Sequence, residues 1–153
     1  MLRQRLNDAL KTAMLGKDAR TVSTVRLILA ALKDRDIAAR PRGVSDGIGE
    51  DEILSMLSSM IKQRRESIAL YEQGNRLDLA QQEAEEIAII ERFLPTQFSA
   101  EQVATVAAEA IAEIGAQGLK DMGKVMAVLK ERYAGQMDFS KASAATKDAL
   151  SGK

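Results

Sequence analysis

Residues 50–94 read EDEILSMLSSMIKQRRESIALYEQ-GN-RLDLAQQEAEEIAIIERFL, and this stretch decides the fold. Glu50, Asp51 and Glu52 place three carboxylates where a helix N-terminus favours negative charge. Ile53, Leu57, Met60, Ile61 and Ile68 then recur at helical spacing to about Gln73, where Gly74 closes the segment. A second helical pattern starts near Asn75 and runs to Leu94, and Pro95 ends it. Two helices of about 20 residues span roughly 30 Å each. A connection as short as Gly74-Asn75 folds them into an antiparallel hairpin.

Working outward, the same helical grammar covers nearly the whole chain. A first helix runs from about Leu2 to Leu15, with Leu2, Leu6, Ala9, Leu10, Ala13 and Met14 on one stripe and Gly16 as its stop. Asp18 is the N-cap candidate of a second, which carries Val22, Val25, Ile28, Leu29 and Leu32 inward and ends before Pro41. Arg40 to Gly49 holds three glycines and few apolar residues and is expected to be the mobile segment. Beyond Pro95, Ser99 and Gln102 form a capping box, with Phe98 placed for a hydrophobic staple. A fifth helix stops at Gly115, a sixth spans about Leu119 to Tyr133, and Ser140 is expected to cap a short seventh ending at Leu150. No stretch alternates like a strand. The reading is all-α: an N-terminal helical unit with the long hairpin over residues 1–96, then a C-terminal three-helix unit over 97–153.

The 153 residues include neither Cys nor His. That removes disulfides, thiolate nucleophiles, sulfur or imidazole metal ligands, and every catalytic relay that needs imidazole. The longest apolar run, Leu27 to Leu32, is six residues against the about 20 that a membrane span needs. The N-terminus lacks an apolar export core, so a cytoplasmic protein is expected. Carboxylates cluster at Asp34/Asp36, Glu50/Asp51/Glu52 and Glu83/Glu85/Glu86, but adjacent helical positions diverge, and ion pairing or simple solvation fits them better than a metal. No metal, cofactor or membrane partner is expected, and no catalytic residue is assigned.

Charge is uneven although it sums to zero. Residues 1–65 hold 13 basic and 8 acidic side chains, residues 66–118 hold 2 and 10, and residues 119–153 hold 7 and 4. Two basic clusters are candidates for phosphate contact. Lys62, Arg64 and Arg65 lie in the third helix, where a salt-bridge ladder across the hairpin, with Arg64 or Arg65 reaching Glu83 and Glu86, is the alternative. Lys120, Lys124, Lys130 and Arg132 lie in the sixth, around Gly123. Glycine inside a helix costs about 1 kcal/mol relative to alanine. Gly123 therefore points to close approach by another backbone, either a packed neighbour helix or a ligand strand. With five aromatics in the chain, base stacking is a poor basis for recognition, and any RNA contact would be to the backbone of a folded molecule.

Leu6 to Met14, Val25-Arg26-Leu27, Lys62 to Ile68, Phe93-Leu94-Pro95 and Lys120 to Met126 together resemble the GatB/YqeY family. From about Phe98 onward the chain is similar to the helical tail of the B subunit of glutamine-dependent aspartyl/glutamyl-tRNA amidotransferase. The resemblance implies a two-part helical fold whose tail contacts folded tRNA and does no chemistry, with Lys124 the first position to carry across. It also brings a family label, carbon–nitrogen ligase with glutamine as amido donor. The readings to separate are thus a non-catalytic tRNA-associated accessory protein, an adaptor for a translation or amidotransferase partner, and a ligase.

Overall fold

The computed structural model describes residues 1–152. It contains seven α-helices and, among the described residues, no strand: α1 (Leu2–Leu15), α2 (Ala19–Ala39), α3 (Glu50–Gln73), α4 (Leu77–Glu91), α5 (Ala100–Ile114), α6 (Met122–Tyr133) and α7 (Phe139–Leu150). None of these helices is long and apolar enough to cross a membrane. The described residues form two compact units, 1–95 and 96–152.

In the first unit, α1 to α4 enclose a core of Leu6, Val25, Ile28, Ile53, Met56, Leu57 and Ile90. The α3–α4 hairpin is antiparallel, with Arg64 facing Glu86 and Arg65 facing Glu91. α4 is shorter than its sequence pattern: it opens at Leu77, and Arg92 to Leu94 leave the helix in turns accepted by Ile89, Ile90 and Glu91 carbonyls. The α1 stripe also loses a member, because Met14 is half-exposed.

Two helix ends are closed differently from the expectation. Gly16 and Gly74 keep negative φ, and the residues after them, Lys17 (φ 55°) and Asn75 (φ 56°), take the left-handed conformation. The turns are copies of one another. Asp18 N–H donates to the Ala13 carbonyl at 2.9 Å and Arg76 N–H to the Tyr71 carbonyl at 2.7 Å, the long bond of a Schellman ending.

The Arg40–Gly49 segment is pinned, which corrects the expectation that it is mobile. Arg40–Arg42 forms one 3₁₀ turn and Ile48 is buried in the core. Asp36 Oδ1 accepts from the Ile48 amide at 2.9 Å, and both Asp36 oxygens accept from the Arg3 guanidinium at 2.7 and 2.8 Å. Arg3 also donates to the Ile48 carbonyl at 2.9 Å. The Arg3 hydrogen bonds hold the Asp36 carboxyl well below its usual range, at about 2. A Cβ on Gly47 would lie 2.5 Å from Arg3 Nη2, at a φ of +94°, so this loop position accepts no side chain without disturbing the clamp.

In the second unit, α5, α6 and α7 pack around Val103, Ala107, Ala110, Val125, Leu129, Met137 and Ala142. The Ser99–Gln102 capping box is formed in both directions, at 3.2 and 2.8 Å. Phe98 packs on this core and meets Tyr133 edge to face at 5.2 Å. Gly115 closes α5 in the left-handed conformation. The sixth helical stretch divides: Leu119–Asp121 is 3₁₀ and the α-helix starts at Met122. Asp138, not Ser140, caps α7, its carboxylate accepting from the Ser140 amide at 2.8 Å.

Candidate nucleic-acid interface

The seven basic candidates separate into three situations. Lys120, Lys124 and Lys130 are exposed and make no ion pair within the described residues. α6 turns Val125 and Leu129 into the core, fully buried, and Met126 packs partly beside them. The 3.6-residue period then leaves Gly123, Lys124, Ala127, Lys130 and Glu131 facing solvent, with Lys120 just before the helix. An added Cβ on Gly123 would meet nothing within 4 Å. The packed-neighbour explanation for this glycine is therefore wrong: its face is open, and two small residues separate the lysines.

Arg132 lies on a different side of α6. Its guanidinium forms two 2.6 Å hydrogen bonds to the Glu113 carboxylate of α5. That hydrogen bonding lowers the Glu113 pKa and raises that of Arg132. Phosphate contact by Arg132 must compete with Glu113.

Arg64 is committed to the hairpin. It is 13% exposed, and its Nε sits 3.0 Å from Glu86 Oε2 and 3.9 Å from Glu83 Oε2. Burial and the nearby Glu86 charge push the Glu83 carboxyl up. The ladder alternative accounts for Arg64 and does not leave it facing solvent. Arg65 is exposed and pairs with Glu91 at 3.4 Å, and Lys62 is exposed on the same helix. No group of three or more Asp or Glu among the described residues is arranged to hold a metal ion.

Sequence reasoning missed a further surface depression. Lys17, Ala19, Val22, Ser23, Arg26 and Leu27 line an open groove of about 730 Å³ at the start of α2. The signal was present: Leu27 falls outside the α2 core stripe, and it is 49% exposed.

The sequence profile of the Yqey-like protein family matches residues 3–150. The chain belongs to that family. Among curated proteins it is similar to altered inheritance of mitochondria protein 41, mitochondrial, of several yeasts. It is 44% identical to the Meyerozyma guilliermondii protein over 87 residues, 56% of this chain and 42% of the relative. It is 32% identical to the Kluyveromyces lactis protein over 88 residues, 58% of this chain and 45% of the relative. With the Eremothecium gossypii protein it shares 32% identity over 149 residues, 95% of this chain and 78% of the relative. The matches thus span under half the length of the first two relatives and most of the third.

These relatives overturn the cytoplasmic expectation, since each is named as a mitochondrial protein. That expectation rested on local features, the short apolar runs among them, which carry no address. A folded protein of an organelle interior shares these features with a cytosolic one.

Proposed function

We propose that this protein is a non-catalytic, tRNA-associated accessory protein that binds the backbone of folded tRNA through its C-terminal unit. The observation that carries the reading is the solvent face of α6. Lys124 and Lys130 stand there, with Lys120 just before the helix, all three without an ion pair among the described residues, and Gly123 and Ala127 leave room between them. Lys124 and Lys130, six residues apart on a rigid helix, and Lys120 in the 3₁₀ turn just before it can meet phosphates of one backbone without a large ordering cost. The small side chains let a sugar–phosphate strand come close. The resemblance of this unit to the amidotransferase tail supports the same assignment. Glu131 on the same face opposes it locally and limits the contact to a few phosphates.

The test is a filter-binding titration of bulk tRNA at several salt concentrations with the whole chain. Binding is expected to weaken with salt, and Lys124→Ala to reduce the steepness of that dependence by about one phosphate. Glu113→Gln, which releases Arg132, is expected to strengthen binding. A salt-insensitive signal, or none at moderate ionic strength, defeats the proposal.

A second reading, the protein adaptor, is favoured by the far end of the α3–α4 hairpin. Leu70 is 68% exposed and Leu77 63% exposed there, flanking the Gly74-Asn75 turn. Exposed apolar side chains on either side of a turn suit a protein partner better than phosphates. A pull-down that survives nuclease and is lost in Leu70→Ser/Leu77→Ser supports it. The ligase label is a third reading. It would be supported by ATP-dependent glutamine turnover that one point substitution abolishes.

A further inference from the structure

We propose that the groove at the start of α2 docks an acidic amphipathic helix of a partner protein. The groove floor is Ala19, Val22 and Leu27, and Lys17 and Arg26 stand beside it. Its lining comes from one helix and the turn before it, so the depression has a single wall. A small molecule seated there would stay largely in water, whereas a helix laid alongside α2 brings the second apolar wall with it. Leu15, 86% exposed, and Met14, 51% exposed, are further apolar side chains left in solvent just before the turn at Lys17.

Charge selects the sign of the occupant. Residues 1–42 hold ten basic and four acidic side chains. Several of these cations are already engaged: Arg3 with Asp36, Arg20 with Glu85, and Arg42 with Glu52. Lys17 and Arg26, the two at the groove, have no ion pair within the described residues. Asp18, next to Lys17, is occupied as the α2 cap, accepting from the Thr21 hydroxyl at 2.7 Å and its amide at 3.2 Å. The next carboxylate along the exposed face of α2 is Asp34, two turns beyond Leu27 and about 10 Å away. An apolar floor would be wasted on a phosphate backbone, so the fitting partner presents leucine-like side chains flanked by carboxylates. Nothing in this inference depends on the RNA reading, which concerns the other unit.

The experiment titrates the ¹⁵N-labelled full chain with a synthetic helical peptide carrying leucines at i, i+3/i+4 and i+7 between glutamates. A twin peptide has lysine for every glutamate. The acidic peptide is expected to shift the amides of Ala19, Val22, Ser23 and Leu27. Lys17→Glu/Arg26→Glu is expected to weaken it by about tenfold or more and to gain affinity for the lysine twin. Leu27→Ser, with both cations intact, is expected to weaken it several-fold. These positions are exposed, and unchanged melting curves will show that the variants fold. The proposal fails if the acidic peptide does not bind at millimolar concentration, if both peptides bind equally, or if the shifts map to another face. It also fails if bulk tRNA shifts the same amides and displaces the peptide. Self-association that Leu27→Ser abolishes would make a second copy the occupant and overturn the partner assignment.

Discussion

Each unit of this protein ties two helices together with an arginine–glutamate pair, and the two pairs differ in a way that distance conceals. Arg132 and Glu113 in the C-terminal unit meet at 2.6 Å, with both side chains about half exposed. Arg64 and Glu86 in the hairpin meet at 3.0 Å, but they are 13% and 8% exposed. Water and salt can replace either partner of the first pair. Both reach the second far less, so removing one partner leaves the other charge largely buried without its counter-ion. The shorter bond is the weaker tie. Arg3 and Asp36, at 2.7 Å and partly buried, fall between them.

The comparison can be broken most directly at Arg64. Arg64→Met is expected to destabilise the protein by about 3–5 kcal/mol in urea unfolding, because it leaves the Glu86 carboxylate buried and unpaired. Adding Glu86→Leu is expected to restore most of that loss, since well-packed apolar residues replace a buried pair at little cost. If the double variant is as unstable as the single, the hairpin depends on the charges themselves.

The next largest effect belongs to Asp36. Asp36→Ala is expected to cost about 2–3 kcal/mol by releasing the Ile48 amide and the Arg3 guanidinium together. Its acid dependence has a definite sign. The folded carboxyl titrates at about 2, below its ordinary value of 3.8, so the clamp stabilises above the ordinary value and that contribution disappears as pH falls towards 2. Acid titration of Asp36→Ala should be flatter than wild type across this window, and an equal slope would remove Asp36 as the cause.

Glu83 behaves in the opposite sense. Burial raises its pKa, so its charged form costs stability above that pKa and the cost is relieved on acidification. Glu83→Gln is expected to raise stability at neutral pH by less than about 1 kcal/mol, with the difference vanishing near pH 3. Smallest of all, Arg132→Ala is expected to leave the melting temperature unchanged within error. A clear drop there would mean that exposure is a poor guide to the worth of these pairs.

How much of this was legible beforehand depends on whether the cause was local. The capping box at Ser99 and Gln102, the Asp18 cap, the start of α3 at Glu50 and the stop at Gly115 are short-range matters of side chain to backbone, and the residues announce them. The Arg64–Glu86 pair was readable because hairpin geometry restricts which positions meet. By contrast, the Arg40–Gly49 loop reads as mobile from its glycines, and nothing nearby in sequence reveals that Arg3 crosses over to hold it. Lys17 in a left-handed turn was equally hidden behind the glycine before it. For the candidate interface, the sequence named the lysines of α6 but could not tell Lys124, which faces solvent, from Arg132, which faces Glu113.

The sequence by itself determined an all-helical protein in two parts. Helical periodicity, capping residues and two prolines act within a few residues of themselves, and an arginine and a glutamate on facing hairpin helices have few other partners. Only the tertiary structure decided which cations are spent internally and which stay available, that Gly123 faces open space, and that the α2–α3 loop is clamped. Those outcomes depend on which side chains are brought together from distant positions and on how much water remains around them, and neither quantity is written in any local stretch of the chain.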